Sequence, residues 1–195
     1  MRYDEDMNLL DRVIIGSWII FWLYWIISAV GAKKNASANI RRIIGIRLAI
    51  LVFAVVLVEA MTLAGYNIGG PRLGQSNPVL AGLGFVIFLS GLTLAVWARR
   101  HLGKNWGMPM TLKQDPELVT NGPYRFIRHP IYSGILLALL GCILEGGIYW
   151  FVIVVIFGVY FIYCAYVEEK IMLKQFPKAY PKYKNSSKML VPFIF

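Results

Sequence analysis

The sequence predicts an all-α, polytopic membrane protein with five transmembrane helices, and three observations carry that prediction. Of its 195 residues 58% are hydrophobic and 15% charged, too oily a mixture for a soluble fold of this length. Five apolar runs follow one another along the chain. Sixteen of the 20 Lys and Arg fall in alternate connections between those runs. A hydrocarbon core of roughly 30 Å takes about 20 apolar residues to cross.

The first run, Val13 to Val30, follows a polar, acidic tail, Met1 to Asp11, and lacks a small-residue cleavage pattern. It is expected to remain as a helix and not to be removed as a signal peptide. Its Trp18, Trp22, Tyr24 and Trp25 read as interfacial belt and packing residues. The second run, Ile43 to Gly65, holds Arg47 near one end and Glu59 twelve positions on. Helical side chains meet at three or four residues, so these two do not pair; both read as snorkelling groups, with Glu59 also a functional candidate as an intramembrane carboxylate. Turn chemistry fills Tyr66 to Pro78, in Gly69-Gly70-Pro71, Gly74 and Asn77-Pro78.

The third run, Val79 to Ala98, contains Gly91 and Ala95, a small-x-x-x-small pair that lets helices approach closely. Gly82 and Gly84 lie inside the same span and lack the strand and third glycine of a nucleotide fingerprint. The fourth run, Ile131 to Leu144, is short, and only Glu145-Gly146-Gly147 separates it from the fifth, Ile148 to Val167. The two read as a helical hairpin. Cys142 and Cys164 fall inside these runs and read as free thiols. The whole is expected to form one structural domain, with a three-helix membrane region at 1–98 and a cofactor-binding loop, hairpin and C-terminal segment at 99–195.

The charge of +10 is explained by topology. Lys33, Lys34, Arg41 and Arg42 lie between spans one and two. Arg99, Arg100, Lys104, Lys113, Arg125 and Arg128 lie between three and four, and Lys170, Lys174, Lys178, Lys182, Lys184 and Lys188 follow five. The positive-inside rule then puts the amino terminus outside and the carboxyl terminus in the cytoplasm. Nucleic acid is not needed to account for the basic residues, and neither nucleic acid nor metal is expected as a partner.

The thirty residues from Arg99 to Arg128 carry Trp106, Met108, Met110, Leu112, Leu118, Val119, Tyr124 and Phe126, too many apolar groups for a solvated linker. Pro130 marks the start of the fourth helix, which leaves Arg128 and His129 beside a helix amino terminus suited to an anion. Counted from the hairpin turn, His129 is sixteen residues back and Glu168 twenty-one forward. The mismatch is about 7.5 Å along a helix, small enough for His129, Tyr132 and Glu168 to surround one ligand. Its anionic end would face Arg128, and its cationic or hydroxyl end Glu168-Glu169. The competing reading makes Arg128 and His129 headgroup anchors, with the glutamates paired to Lys170 and Lys174.

Leu118-Val119-Thr120-Asn121-Gly122-Pro123-Tyr124, then Arg128-His129-Pro130-Ile131-Tyr132-Ser133-Gly134, Glu168-Glu169, and Phe176, Tyr180, Tyr183 and Val191-Pro192-Phe193-Ile194 resemble the isoprenylcysteine carboxyl methyltransferase and phospholipid methyltransferase superfamily. The resemblance spans about residues 97 to 195. It implies an integral membrane methyltransferase that uses S-adenosylmethionine in a cytoplasmic pocket and modifies a lipophilic acceptor drawn from the lipid bilayer. It also implies cofactor contacts at Pro116, Glu117, Leu118, Val119, Tyr124, His129, Pro130, Ile131, Tyr132 and Glu168. Where isoprenylcysteine enzymes carry a substrate arginine four residues before the glutamate, this chain has Cys164. The acceptor is left open among a carboxylate, a lipid, a thiol, a phenol and another small apolar nucleophile. The rival readings are a non-catalytic membrane carrier or assembly protein and a nicotinamide-dependent membrane reductase.

Overall fold

The computed structural model describes residues 9–29, 32–33, 74, 77–107, 109–111, 114–146, 149–192 and 194. Its elements are α1 (Leu9–Ala29), α2 (Pro78–Leu102), two 3-10 turns (Gly103–Asn105 and Gly122–Arg125), α3 (Pro130–Gly146), α4 (Tyr149–Gln175) and α5 (Ala179–Ser186). Among the described residues the only β pairing is an isolated parallel bridge between Ile127 and Lys188. The second expected span, Ile43 to Gly65, with Arg47 and Glu59, lies outside the described residues, as do Met1 to Asn8 of the tail and most of the Tyr66 to Pro78 connection.

Three of the described helices are long and apolar enough to cross a membrane, at Leu9–Ala29, Pro78–Asn105 and Trp150–Gln175. These are the first, third and fifth expected spans. The fourth run forms α3, whose 17 residues rise only about 25 Å. Helix boundaries reach past the apolar runs wherever local chemistry allows. Asn77 Oδ1 accepts from the Val79 and Leu80 N–H groups, and Pro78 fills the first turn, so α2 starts one residue before its run. At its other end Arg99, Arg100 and His101 occupy the last turn, where cations suit the dipole. The α4 helix runs on to Gln175, two residues before Pro177, so Glu168 and Glu169 belong to the helix itself.

Among the described helices the most intimate contact is α2 against α3. A Cβ added at Gly91 would sit 2.3 Å from the Ala138 nitrogen, and one at Gly134 would sit 2.7 Å from the Ala95 nitrogen. One turn pair along, Gly84 and Gly141 each face the other's carbonyl oxygen, at 2.8 and 2.5 Å. The small-residue pattern therefore brings backbone against backbone, the arrangement by which helices associate in lipid without a hydrophobic drive. Phe88, Ala95, Ala138, Cys142 and Cys164 close the core around this seam, and both cysteines are free thiols. On α1, Ile14 and Phe21 face inward and Trp18 meets the edge of Phe88, while Ile19, Ile20, Ile26 and Ile27 are exposed, as lipid-facing residues should be.

Gly91→Ala should lower the stability of the purified protein by about 1–3 kcal/mol, because its methyl group meets immovable backbone. Gly82→Ala, with nothing within 4 Å, is the control. Equal melting temperatures for the two variants would contradict the packing described.

Candidate active site

The start of α3 and the end of α4 meet at one end of the bundle, and the chain's last turns lock them there. Ahead of α3, Arg128 and His129 donate their backbone N–H groups to the Lys188 and Met189 carbonyls, at 2.7 and 3.1 Å, and Lys188 N–H donates to Phe126. Ser133 Oγ donates to the Leu190 carbonyl at 2.5 Å, and Tyr183 OH donates to the Tyr124 carbonyl at 2.6 Å. The segment after α5 is thereby stitched alongside residues 126–129, which fixes where His129 points.

Glu168 and Glu169, adjacent on α4, face different surroundings, because neighbours on a helix point about 100° apart. Glu169 is buried and turns toward the tail, with Arg128 Nε and Lys184 Nζ each at 2.6 Å and His129 Nε2 at 3.7 Å. Arg128 also donates to the Lys184 and Ser187 carbonyls. This corrects two expectations. Arg128 lines the cavity with its guanidinium already paired to Glu169, and Glu169 does not join Glu168 on the cavity wall. Nor does Glu169 pair with Lys170 or Lys174, which lie on the same helix at spacings that do not meet; its partner is Lys184 of α5.

Glu168 faces a cavity of about 480 Å³. Its Oε1 accepts from Tyr132 OH at 2.6 Å and from the Met110 N–H at 2.9 Å, and its Oε2 lies 3.3 Å from His129 Nδ1. Tyr132 is sandwiched with parallel rings between His129, at 5.5 Å, and Phe161, at 4.6 Å. His129 Nε2 is buried without a hydrogen-bond partner. Burial favours a neutral ring, but hydrogen bonds and charge from Glu168 and Glu169 outweigh it and raise the pKa of His129. Burial likewise raises Tyr124, and raises Tyr183 to about 12, so both stay neutral phenols.

The strap between the 3-10 turns forms the cavity's outer wall. Lys33 Nζ binds Glu117 Oε1 at 2.9 Å and the Asp115 carbonyl at 2.7 Å, and Asn105 Nδ2 reaches Glu117 Oε2 at 3.4 Å. The bond to Lys33, with Asn105 and the nearby charge, lowers the pKa of Glu117. Met110 and Asp115 hold positive φ, at 62° and 46°, a conformation costly for side chains of their kind. Of the ten positions expected at a cofactor, Pro116, Glu117, Leu118, Val119, Tyr124, His129, Ile131, Tyr132 and Glu168 line this cavity, and Pro130 is buried behind it. Trp106, Phe157, Tyr160 and Phe161 line it as well and were not among the expected positions. Trp22 and Trp25, read from the sequence as belt and packing residues, also line the cavity. A helical spacing of three between Trp22 and Trp25 put them on one face but not which face.

The sequence profile of phospholipid methyltransferases matches residues 79–179, which hold α2, α3, α4 and most of the strap. The chain belongs to the phospholipid methyltransferase family. It is thus a membrane methyltransferase of the superfamily that includes the isoprenylcysteine enzymes. No match to a curated protein was found. In this methyltransferase, Trp22 and Trp25 of α1, and Tyr180 and Tyr183 of α5, line the cavity from outside the matched residues.

Because the pKa of His129 is raised from 6.5, the stabilisation from its charged ring is complete below about 6.5 and is lost as pH rises through the folded value. The melting temperature of the methyltransferase should fall as pH is taken upward through that window, and His129→Gln should flatten the slope. Parallel slopes would assign the effect to another group.

Proposed function

We propose that this chain binds S-adenosylmethionine in the cavity at Glu168 and transfers its methyl group to a membrane-partitioned acceptor. The amino terminus lies outside and the site faces the cytoplasm. The observation that carries this reading is the Glu168 carboxylate, oriented by Tyr132, Met110 and His129 on a cavity walled mostly by aromatic and aliphatic side chains. The residues present fit such a cofactor. The volume lies within the roughly 300–1,000 Å³ of small-molecule sites, and a fixed carboxylate beside stacked rings suits a cation.

S-adenosylmethionine supplies an electrophilic methyl group on a sulfonium. The chain's residues bind, orient and exclude water. Glu168 and Glu117 offer negative charge for an ammonium and a sulfonium, and Pro116, Leu118, Val119, Tyr124 and Ile131 offer apolar surface for the remainder. Glu168 already accepts from Tyr132 OH and the Met110 N–H and lies against His129 Nδ1, so it is not a ready base. Holding two reactants at near-attack distance in a dry site is then the main source of acceleration, most effective for a nucleophile that arrives ionised.

Cys164, at the position of the isoprenylcysteine enzymes' substrate arginine, is fully buried in the core and is not a cavity residue. That position offers no guanidinium to a prenylcysteine carboxylate, which favours a different acceptor over that one.

Calorimetry of the purified protein should show saturable binding of S-adenosylmethionine, weakened about tenfold or more by Glu168→Gln, which loses one charge-assisted contact. Transfer of labelled methyl to extracted membrane lipids should fall with it. Saturable binding of a nicotinamide dinucleotide in place of S-adenosylmethionine would replace this reading with a reductase.

A further inference from the structure

The cavity is deeper than the polar cluster at its mouth. Along α4 it runs from Glu168 past Phe161 and Tyr160 to Phe157, eleven residues and about 16 Å toward the bilayer centre. Ile135 of α3 and Trp22 and Trp25 of α1 line it as well.

That tryptophan wall is braced. The ring of Trp25 meets Trp106 edge-on at 5.9 Å and lies 5.0 Å from buried Phe21. Behind Trp106, the guanidinium of Arg99 sits 4.5 Å from the ring centroid. Arg99 is itself buried, and it donates to the Gly103 carbonyl at 2.9 Å and to the Ser28 carbonyl. One side chain thereby ties the last turn of α1 to the base of the strap and presses Trp106 against Trp25. A wall so held cannot swing aside to admit a wider guest.

We propose that Trp25, braced by Trp106 and Arg99, is the specificity-determining residue that sets how bulky an acceptor body the apolar limb admits. The inference rests on the methyltransferase reading of the site and adds to it the acceptor's class: a nucleophile on a narrow apolar body. Trp25 lies outside the residues matched by the family profile, so members of this family need not share the wall.

The test uses the full-length protein in phosphatidylcholine vesicles with methyl-labelled S-adenosylmethionine. Its acceptors are alkyl thiols, amines and carboxylates whose bodies pass from linear to branched to aromatic. Trp25→Ala should raise kcat/KM for bulky over linear bodies by about tenfold or more, with Trp25→Phe between it and the wild type. Arg99→Lys, which loses the planar face and the paired carbonyl contacts, should move the ranking in the same direction. The rise in melting temperature given by each compound supplies the same ranking where transfer is slow or where Trp25→Ala fails to fold and Trp25→Phe stands alone. Affinity for S-adenosylmethionine should stay within about twofold throughout. An unchanged ranking with intact cofactor binding overturns the proposal, and so does a loss of cofactor affinity that accounts for the change. Failure of the wild type to bind S-adenosylmethionine overturns the underlying reading first.

Discussion

Glu169 is the charge on which the site's end of this bundle is organised. A buried carboxylate is tolerated only when it is paired and hydrogen-bonded, and this one gathers Arg128 from the approach to α3, Lys184 from α5 and the edge of His129. Three stretches of chain far apart in sequence are thereby held at one point. Because Glu168 is its neighbour on α4, fixing Glu169 toward the tail aims Glu168 into the cavity. The Arg128 and Glu169 pair thus positions the cavity-facing Glu168.

The same logic runs through the rest of the site. Tyr132 is held by rings on both faces, His129 by its backbone N–H on the Met189 carbonyl and by the glutamates, and the strap by Lys33 and by Met110 N–H. Each cavity residue is oriented by something behind it, so the geometry does not depend on the ligand to assemble it. This is the preorganisation expected where catalysis rests on position more than on proton transfer.

Much of this was legible in the sequence, and for identifiable reasons. Apolar runs located α1, α2, α3 and α4, since bilayer thickness leaves little freedom in length. Pro130 gave the start of α3, and counting from the Gly146-Gly147 turn put His129, Tyr132 and Glu168 within reach of one another. What was not legible depended on direction and not on distance. Adjacent Glu168 and Glu169 look equivalent in a sequence, and Arg128 and Lys184, both distant along the chain, decide which turns away. Trp22 and Trp25 carry the same composition whether they face lipid or a cavity, and the bracing by Arg99 comes from another helix. The extension of α4 beyond its apolar run was hidden because polar residues there continue a helix as readily as they end one.

The glycine seam between α2 and α3 gives the site its floor. With backbones interleaved at Gly84, Gly91, Gly134 and Gly141, those two helices behave as a single keel, and His129 and Tyr132 ride on it. The wall of α1 and the strap is moored by side chains instead: Arg99 of α2 donates to the Ser28 carbonyl, and Lys33 binds Glu117. Backbone contact thus holds the reacting floor, while single side-chain bonds hold the planking above it.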